Sequence, residues 1–335
     1  MFSFQSKKIY LFMFMGIQLV VIALLSREAY QKRVTYFIPI LRKDNASIPT
    51  GRNQTSTAVV ANGGDVYANL SRLSKAHSQG ENLPYCPKTS PLIGGRINVR
   101  IHSNFTMQEV QRKNPLVVRG GRYRPPDCEA RHRTAIIIPH RDREHHLKVL
   151  LYFLHPFLQR QQLNYGFYVI HQAGNYTYNK AKLMNVGFRE AMKDEDWDCL
   201  FFHDVDLIPE DNRNTYVCDA NPKHVSVAID KFGYEVSLAG MSISRPSLKV
   251  GRYKMIKHKL DKGNNANTKR FNMLSKTSQT WKEDGMNTVE SRVISREYHP
   301  LYTNITVDVG TKAGLPPPPP PPKAATMADQ IQHHG

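Results

Sequence analysis

One run, Cys199-Leu-Phe-Phe-His-Asp-Val-Asp206-Leu-Ile-Pro209, constrains this chain more than any other. An apolar stretch of strand character ends in two carboxylates one residue apart, and the proline that follows cannot donate to a ladder. Side chains alternate with period two along a strand, so Asp204 and Asp206 are expected to point the same way at its carboxyl end. In open α/β sheets that end is where ligands sit. Paired hard oxygen donors there suit a divalent cation that also holds phosphate oxygen. The plainer alternative is a pair of aspartates capping the next turn, where Asp is common.

The 335 residues are enough to bury one large core or two modest ones. A net charge of +18 invites a nucleic-acid partner, but the basic residues are scattered and no zinc-finger, helix-turn-helix or RNP pattern accompanies them. The charge suits a polyanionic small molecule such as a nucleotide diphosphate equally well. Ile9 to Leu25 is apolar apart from Gln18, with Lys7 and Lys8 before it and Arg27, Lys32 and Arg33 after it. The run is long for a cleaved signal peptide, the competing reading, and is taken as an uncleaved signal anchor. Residues 1–8 then form a cytoplasmic tail and the rest of the chain is lumenal. Acceptor sequons at Asn45, Asn53, Asn69, Asn104, Asn175 and Asn304 fit a lumenal chain. Four cysteines allow three connectivities. The sequential one, Cys86–Cys128 and Cys199–Cys218, is expected, each bridge contributing roughly 3–4 kcal/mol on the loop-entropy account.

Residues 26–82 are rich in Ser, Asn, Gly and Thr with little apolar periodicity, which predicts a disordered stem. From Thr311 to Gly335 the chain carries Pro316 to Pro322 and small polar residues, a polyproline spacer with a loose end. The folded domain is therefore expected over 83–310. Within it, Thr134–Pro139, Phe167–His171 and Asp198–Asp206 read as strands, and Arg143–Gln162 and Asn179–Met192 as helices. Strands alternating with helices predict an α/β, Rossmann-like, mostly parallel sheet whose strand ends share one side. The turn His140-Arg-Asp-Arg143 would then lie beside Asp206, where Arg141, Arg143 and a helix amino-terminus can neutralise a diphosphate. Surface arginines on a polar turn are the alternative.

Downstream, Met255 and His258 offer a thioether and an imidazole three residues apart. His is a common metal ligand, whereas a methionine more often fills a core gap. At this point four motifs stand in order: Pro139-His-Arg-Asp-Arg143, Phe202-His-Asp-Val-Asp206-Leu-Ile-Pro209, Met241-Ser-Ile-Ser-Arg-Pro246 and Arg252-Tyr-Lys-Met255-Ile-Lys-His258. Together they resemble the β-1,4-galactosyltransferases of the Golgi, best those that add galactose to terminal N-acetylglucosamine, over about Leu83 to Gly310.

The resemblance implies a GT-A fold, a single-pass type II Golgi membrane protein, Mn²⁺ as cofactor, UDP-galactose as donor and N-acetylglucosamine-terminated glycoproteins or glycolipids as acceptors. It assigns Asp206, Met255 and His258 as metal ligands. Pro139, His140, Arg141, Arg143, Asp204, Val205, Asp206, Phe232 and His258 match donor-side positions. Tyr178 and Lys180 fall where the family usually has Phe and Arg, and the lysine offers a point charge in place of a bidentate fork. Arg270, Phe271 and Leu274 match the acceptor side, and Lys259 to Thr268 a loop that closes after donor binding.

The chain departs from this family after Phe232-Gly-Tyr234. The family's block with a Tyr-Phe-Gly-Gly turn and a Trp-Gly-Trp-Gly-Gly-Glu-Asp-Asp-Asp run is missing, and Glu235 to Gly240 leads straight to Met241. Only Trp197 and Trp281 remain as tryptophans. Inverting transfer needs a carboxylate to take the acceptor's proton, which the acidic run supplies in the family. The domain is therefore expected to be incomplete near 234–241, with no assignable catalytic base and impaired activity. The alternative is a non-catalytic Golgi paralogue or splice form that binds the sugar nucleotide or dimerises, with itself or with an active relative.

Overall fold

The computed structural model describes residues 66–67, 70, 83–101, 104–227, 243–257, 270–280, 285–286 and 288–311. All belong to the second of the two units of the chain, Val59–Gly335. The expected tail and anchor (1–25), most of the stem, the 234–241 junction and the proline tail after Thr311 lie outside the described residues. The stem assigned to 26–82 needs one correction. Val66 is buried in the core cluster and Leu70 is buried, the Tyr67 hydroxyl donates to the Tyr152 carbonyl at 2.8 Å, and Arg160 donates to the Val66 carbonyl. Two apolar residues four apart were enough to attach this part of a polar segment to the body.

In chain order the described elements are α1 (Met107–Lys113), β1 (Arg122–Tyr123), β2 (Arg133–His140), α2 (Glu144–Arg160), β3 (Asn164–Gln172), α3 (Lys180–Ala191), β4 (Cys199–Phe202), β5 (Leu207–Pro209), β6 (Tyr253–Met255), α4 (Arg270–Thr280), β7 (Arg292–Tyr298) and β8 (Thr303–Asp308). The main sheet runs β4-β2-β3-β8-β7, with β1 antiparallel to the start of β3. Strands β4, β2, β3 and β8 are parallel and β7 is antiparallel at one edge. This is the mixed α/β class with a mostly parallel sheet that the strand–helix alternation predicts. A separate ribbon pairs β5 with β6.

Residue alternation divides the core. Ile136 and Ile138 of β2 join Phe167, Val169 and the apolar residues of α2 in one cluster, while Ala135 and Ile137 join Tyr168, Ile170, Ile305, Val307 and Leu183 and Val186 of α3 in another. Each buried isoleucine contributes about 1.5–3 kcal/mol relative to exposure. Helix α3 lies close on the sheet because Gly187 has no side chain; a Cβ there would stand 2.4 Å from Ile137 Cγ2. Both expected disulfides are present, Cys86–Cys128 and Cys199–Cys218.

The strand expected over Asp198–Asp206 is shorter. It ends at Phe202, so Asp204 and Asp206 are carried by a turn and not by strand alternation. The cause lies on the neighbouring strand. Register pairs Ile137 with Phe202, and the His203 amide still donates to the Ile137 carbonyl at 2.9 Å. The next bond of a parallel ladder requires the amide hydrogen of residue 139, which is proline.

Candidate functional site

Three loops meet at the carboxyl ends of the parallel strands. After β2 comes Arg141 to Arg143, after β3 the loop to Lys180, and after β4 the Asp204–Asp206 turn. Together Pro139, Arg141, Arg143, Tyr178, Lys180, Asp204, Val205 and Asp206 line one cleft of about 170 Å³. Lys180 Nζ forms an ion pair with Asp204 Oδ1. The Arg141 guanidinium stacks 5.1 Å from the Tyr178 ring centre and donates to the Tyr176 carbonyl. Helix α2 opens beside these residues with no side-chain cap, which leaves first-turn amides for an anion.

The loop bearing Tyr178 and Lys180 is held from below. The buried Gln172 amide donates to the Thr177 carbonyl at 3.1 Å and its carbonyl accepts from the Asn179 amide at 2.8 Å. Asn179 in turn caps α3 by accepting from the Lys182 amide. His140 is buried and is not among the cleft-lining residues. Its Nδ1 lies 3.2 Å from His171 Nδ1, and burial followed by the His171 charge lowers its pKa. Its Nε2 has no hydrogen-bond partner among the described residues.

The aspartate turn is tightly determined. The Leu207 amide donates to the Asp204 carbonyl at 3.3 Å, and the Ile256 amide donates to the Asp206 carbonyl at 2.8 Å. The β5–β6 register sets Leu207 opposite Met255, so Met255 stands next to Asp206 although nearly fifty residues separate them. Met255 is 45% exposed, which removes the reading of this thioether as a core filler. His258 and Phe232 lie outside the described residues. Arg270, Phe271 and Leu274 fall on α4, but their side chains are outside the described set. No group of three His, Cys, Asp or Glu side chains suited to a metal occurs among the described residues. Asp206 and Met255, two of the three ligands that the resemblance implies, are thus neighbours along the backbone, and an oxygen and a thioether are the donor types it calls for.

Beneath the turn lies a polar layer that sequence reading missed. His203 Nδ1 lies 2.8 Å from the Asp204 carbonyl and Nε2 2.9 Å from the Tyr216 hydroxyl. Tyr216 and Tyr253 hydroxyls are 2.8 Å apart. The phrase Phe202-His203-Asp204 was in view, but its partners are remote in sequence. The acidic triplet Asp194-Glu195-Asp196 offers no substitute for the missing run. It precedes β4, at the opposite end of the sheet, and its Asp194 and Glu195 are paired with Arg122 and Arg296.

Of the sequons, Asn104 and Asn175 are exposed, and Asn304 is half-buried within β8. Thr106 of the first also caps α1, accepting from the Glu109 amide. Asn45, Asn53 and Asn69 lie outside the described residues. No helix among the described residues is long and apolar enough to cross a membrane.

Residues 86–219 match the N-terminal region of glycosyl transferase group 7, a stretch that holds both disulfides and every residue lining the cleft. The chain is 50% identical over 306 residues to beta-1,4-galactosyltransferase 3 of Homo sapiens, covering 78% of each. It is 42% identical over 297 residues to beta-1,4-galactosyltransferase 1 of Homo sapiens, covering 76% of this chain and 75% of that protein. Among solved structures, the catalytic domain of Drosophila beta1,4galactosyltransferase 7 in complex with xylobiose superposes with a TM-score of 0.44 at 18% identity, covering 54% of this chain and 96% of that one. A mutant of the same protein in complex with manganese, UDP-Gal and xylobiose gives 0.44 at 20% identity, with the same coverage. On the extent and identity of the sequence matches, this chain belongs to the β-1,4-galactosyltransferase family.

Proposed function

We propose that this chain binds UDP-galactose in the cleft above the aspartate turn and is built for Mn²⁺-dependent, inverting transfer of galactose to terminal N-acetylglucosamine. The observation that carries the reading is the convergence of three strand-end loops, with Arg141, Arg143, Lys180 and an uncapped helix start around one small cleft. Arg141, Arg143 and the amides of α2 supply positive potential for a diphosphate. Pro139, His140, Val205 and Phe232 sit at or near the nucleoside side by resemblance, and Tyr178 offers a flat ring beside it. Asp206, Met255 and His258 would hold manganese, which when bound supplies Lewis-acid neutralisation of the departing diphosphate. Arg270, Phe271 and Leu274 serve the acceptor. A Golgi lumenal site behind a type II anchor, with residues 83–310 as the enzyme domain and glycans on exposed sequons, completes the assignment.

Transfer itself is expected to be weak. An alignment 306 positions long that takes in 78% of a 335-residue chain contains positions with no counterpart here. That supports loss of an internal block, and the acidic run belongs to such a block. Without that base, the acceptor hydroxyl loses the carboxylate that takes its proton in the family, a loss of about 10²–10⁴-fold. The same observation favours a second reading, a donor-binding Golgi protein that pairs with an active relative without transferring sugar.

The test is a radiolabel assay of the full chain with UDP-galactose, Mn²⁺ and an N-acetylglucosamine acceptor, alongside UDP binding by calorimetry. Binding with turnover at least about 100-fold below that of a relative carrying the acidic run is the expected result. Equal turnover overturns the impairment, and absence of UDP binding overturns the donor site.

A further inference from the structure

The layer beneath the aspartate turn has a direction. The Asp204 carbonyl can only accept, so His203 must carry its hydrogen on Nδ1 to use the 2.8 Å contact. Its Nε2 is then an acceptor, and the Tyr216 hydroxyl at 2.9 Å must be the donor. With that hydrogen committed, the Tyr216 oxygen accepts from the Tyr253 hydroxyl at 2.8 Å. Tyr253 accepts in turn from the Asn214 side-chain amide at 3.3 Å. All four groups are buried, so water cannot replace a missing partner cheaply. Burial also keeps the imidazole neutral, as this order requires.

The two ends of this chain of hydrogen bonds matter. Tyr253 opens β6, two residues before Met255. The Asp204 carbonyl opens the turn that carries Asp206, and the Leu207 amide closes that turn on the same carbonyl. Tyr216 lies within the loop closed by the Cys199–Cys218 bridge, and its ring stacks 4.4 Å from that of Phe201 on β4. One relay therefore ties the segment bearing the thioether to the segment bearing the carboxylate.

We propose that His203, Tyr216 and Tyr253 are positioning residues, a directional hydrogen-bond relay that fixes the Asp206 carboxylate against Met255 and so sets affinity for a divalent cation. The inference rests on the metal-and-nucleotide reading given above. Ligand-orienting groups one layer out typically set metal affinity by 10–100-fold. A relay of this kind acts on the angle of the turn, because the Asp204 carbonyl loses one of its two donors when His203 turns away.

The test measures Mn²⁺ affinity of the full chain with saturating UDP, following free Mn²⁺ and the bound signal by electron paramagnetic resonance, with no turnover involved. Tyr216→Phe keeps the ring and its stacking and removes only the hydroxyl. It is expected to weaken Mn²⁺ by about 10–100-fold and to broaden the bound signal, while the melting curve stays cooperative. His203→Asn keeps an amide hydrogen where Nδ1–H stood but cuts the link to Tyr216, so it should lose affinity as Tyr216→Phe does, whereas His203→Leu, which removes both contacts, should lose more. Wild-type affinity and line shape in Tyr216→Phe, or equal losses in His203→Asn and His203→Leu, overturn the relay and leave the site reading standing. A wild-type chain that binds no Mn²⁺ with UDP overturns the site reading, and the relay with it.

Discussion

The amide of Ile256 donates to the carbonyl of Asp206 at 2.8 Å, and this bond extends the β5–β6 pairing that joins the two halves of the candidate cation site. It sets the backbone of Asp206 against the strand that carries the exposed Met255, neither residue belonging to the main sheet. Because Met255 is solvent-facing, Met255→Leu should change stability by no more than about 0.5 kcal/mol. The same substitution should weaken Mn²⁺ in the presence of UDP, and Asp206→Asn should do so by at least about 100-fold. Titration of free Mn²⁺ reads both, and an unchanged affinity in Asp206→Asn would remove this residue from the site.

Lys180 holds Asp204 as an ion pair at the cleft mouth. Both partners are more than a third exposed, so the pair adds little to stability. Its consequence is for ligand binding, where a guanidinium reaches two phosphate oxygens and an ammonium one. Lys180→Arg should tighten UDP, and Lys180→Ala should loosen it by about tenfold, the worth of one charge-assisted bond. Calorimetry with UDP settles the order of the three proteins.

Gly187 allows α3 to approach β2 and β3. Alanine there gains about 1 kcal/mol of helix propensity, but its Cβ falls within 2.4 Å of Ile137 and 2.9 Å of Ile170. Overpacking of this kind costs typically 1–3 kcal/mol, so Gly187→Ala should lower the urea midpoint. A raised midpoint would mean that the helix is free to lift.

His155 is fully buried, donating through Nε2 to the Leu301 carbonyl at 2.9 Å and facing the Tyr165 hydroxyl through Nδ1 at 2.8 Å. Burial pushes its pKa down to about 3. The unfolded ring takes a proton near pH 6.5, well before the folded one. Stability is therefore complete above that pH and falls as pH drops toward about 3, by up to about 1.4 kcal/mol per unit. His140 and His203, also lowered by burial, add to the same trend. Melting temperatures recorded between pH 7.5 and 4.5 should decline, less steeply in His155→Gln; a flat profile would contradict a neutral buried ring.

The sheet and its helices were readable where one residue's neighbours in sequence decide its fate. Thr134 to Pro139 and the leucines of Arg143–Gln162 carry their periodicity locally, and β2 and α2 follow. The end of β4 was not readable, because what stops it is the missing amide hydrogen of Pro139 on another strand. The β5–β6 ribbon escaped for a different reason: three-residue strands show no period. Tyr216 and Tyr253 lie 13 and 50 residues from His203, and nothing in either local sequence marks a hydroxyl destined for an imidazole. Arg141, Arg143, Lys180 and Asp204 were readable as candidates through motif and resemblance, and the fold brings them to one cleft. The stem boundary was misplaced because Val66 and Tyr67 gain partners from α2, Arg160 and Tyr152, far along the chain.

Lys223 and Ser244 form a parallel bridge, with the His224 amide donating to the Ser244 carbonyl and the Ser244 amide to the Pro222 carbonyl, each at 2.9 Å. Nearby, Gly251 fits between Val227 and Pro246 so closely that a methyl group would collide with both. The described residues on either side of 228–242 are thus held to each other. Strands β2, β3 and β4 precede this bridge and β8 follows it, so a change in length between residues 227 and 243 leaves the order of the parallel strands as it was.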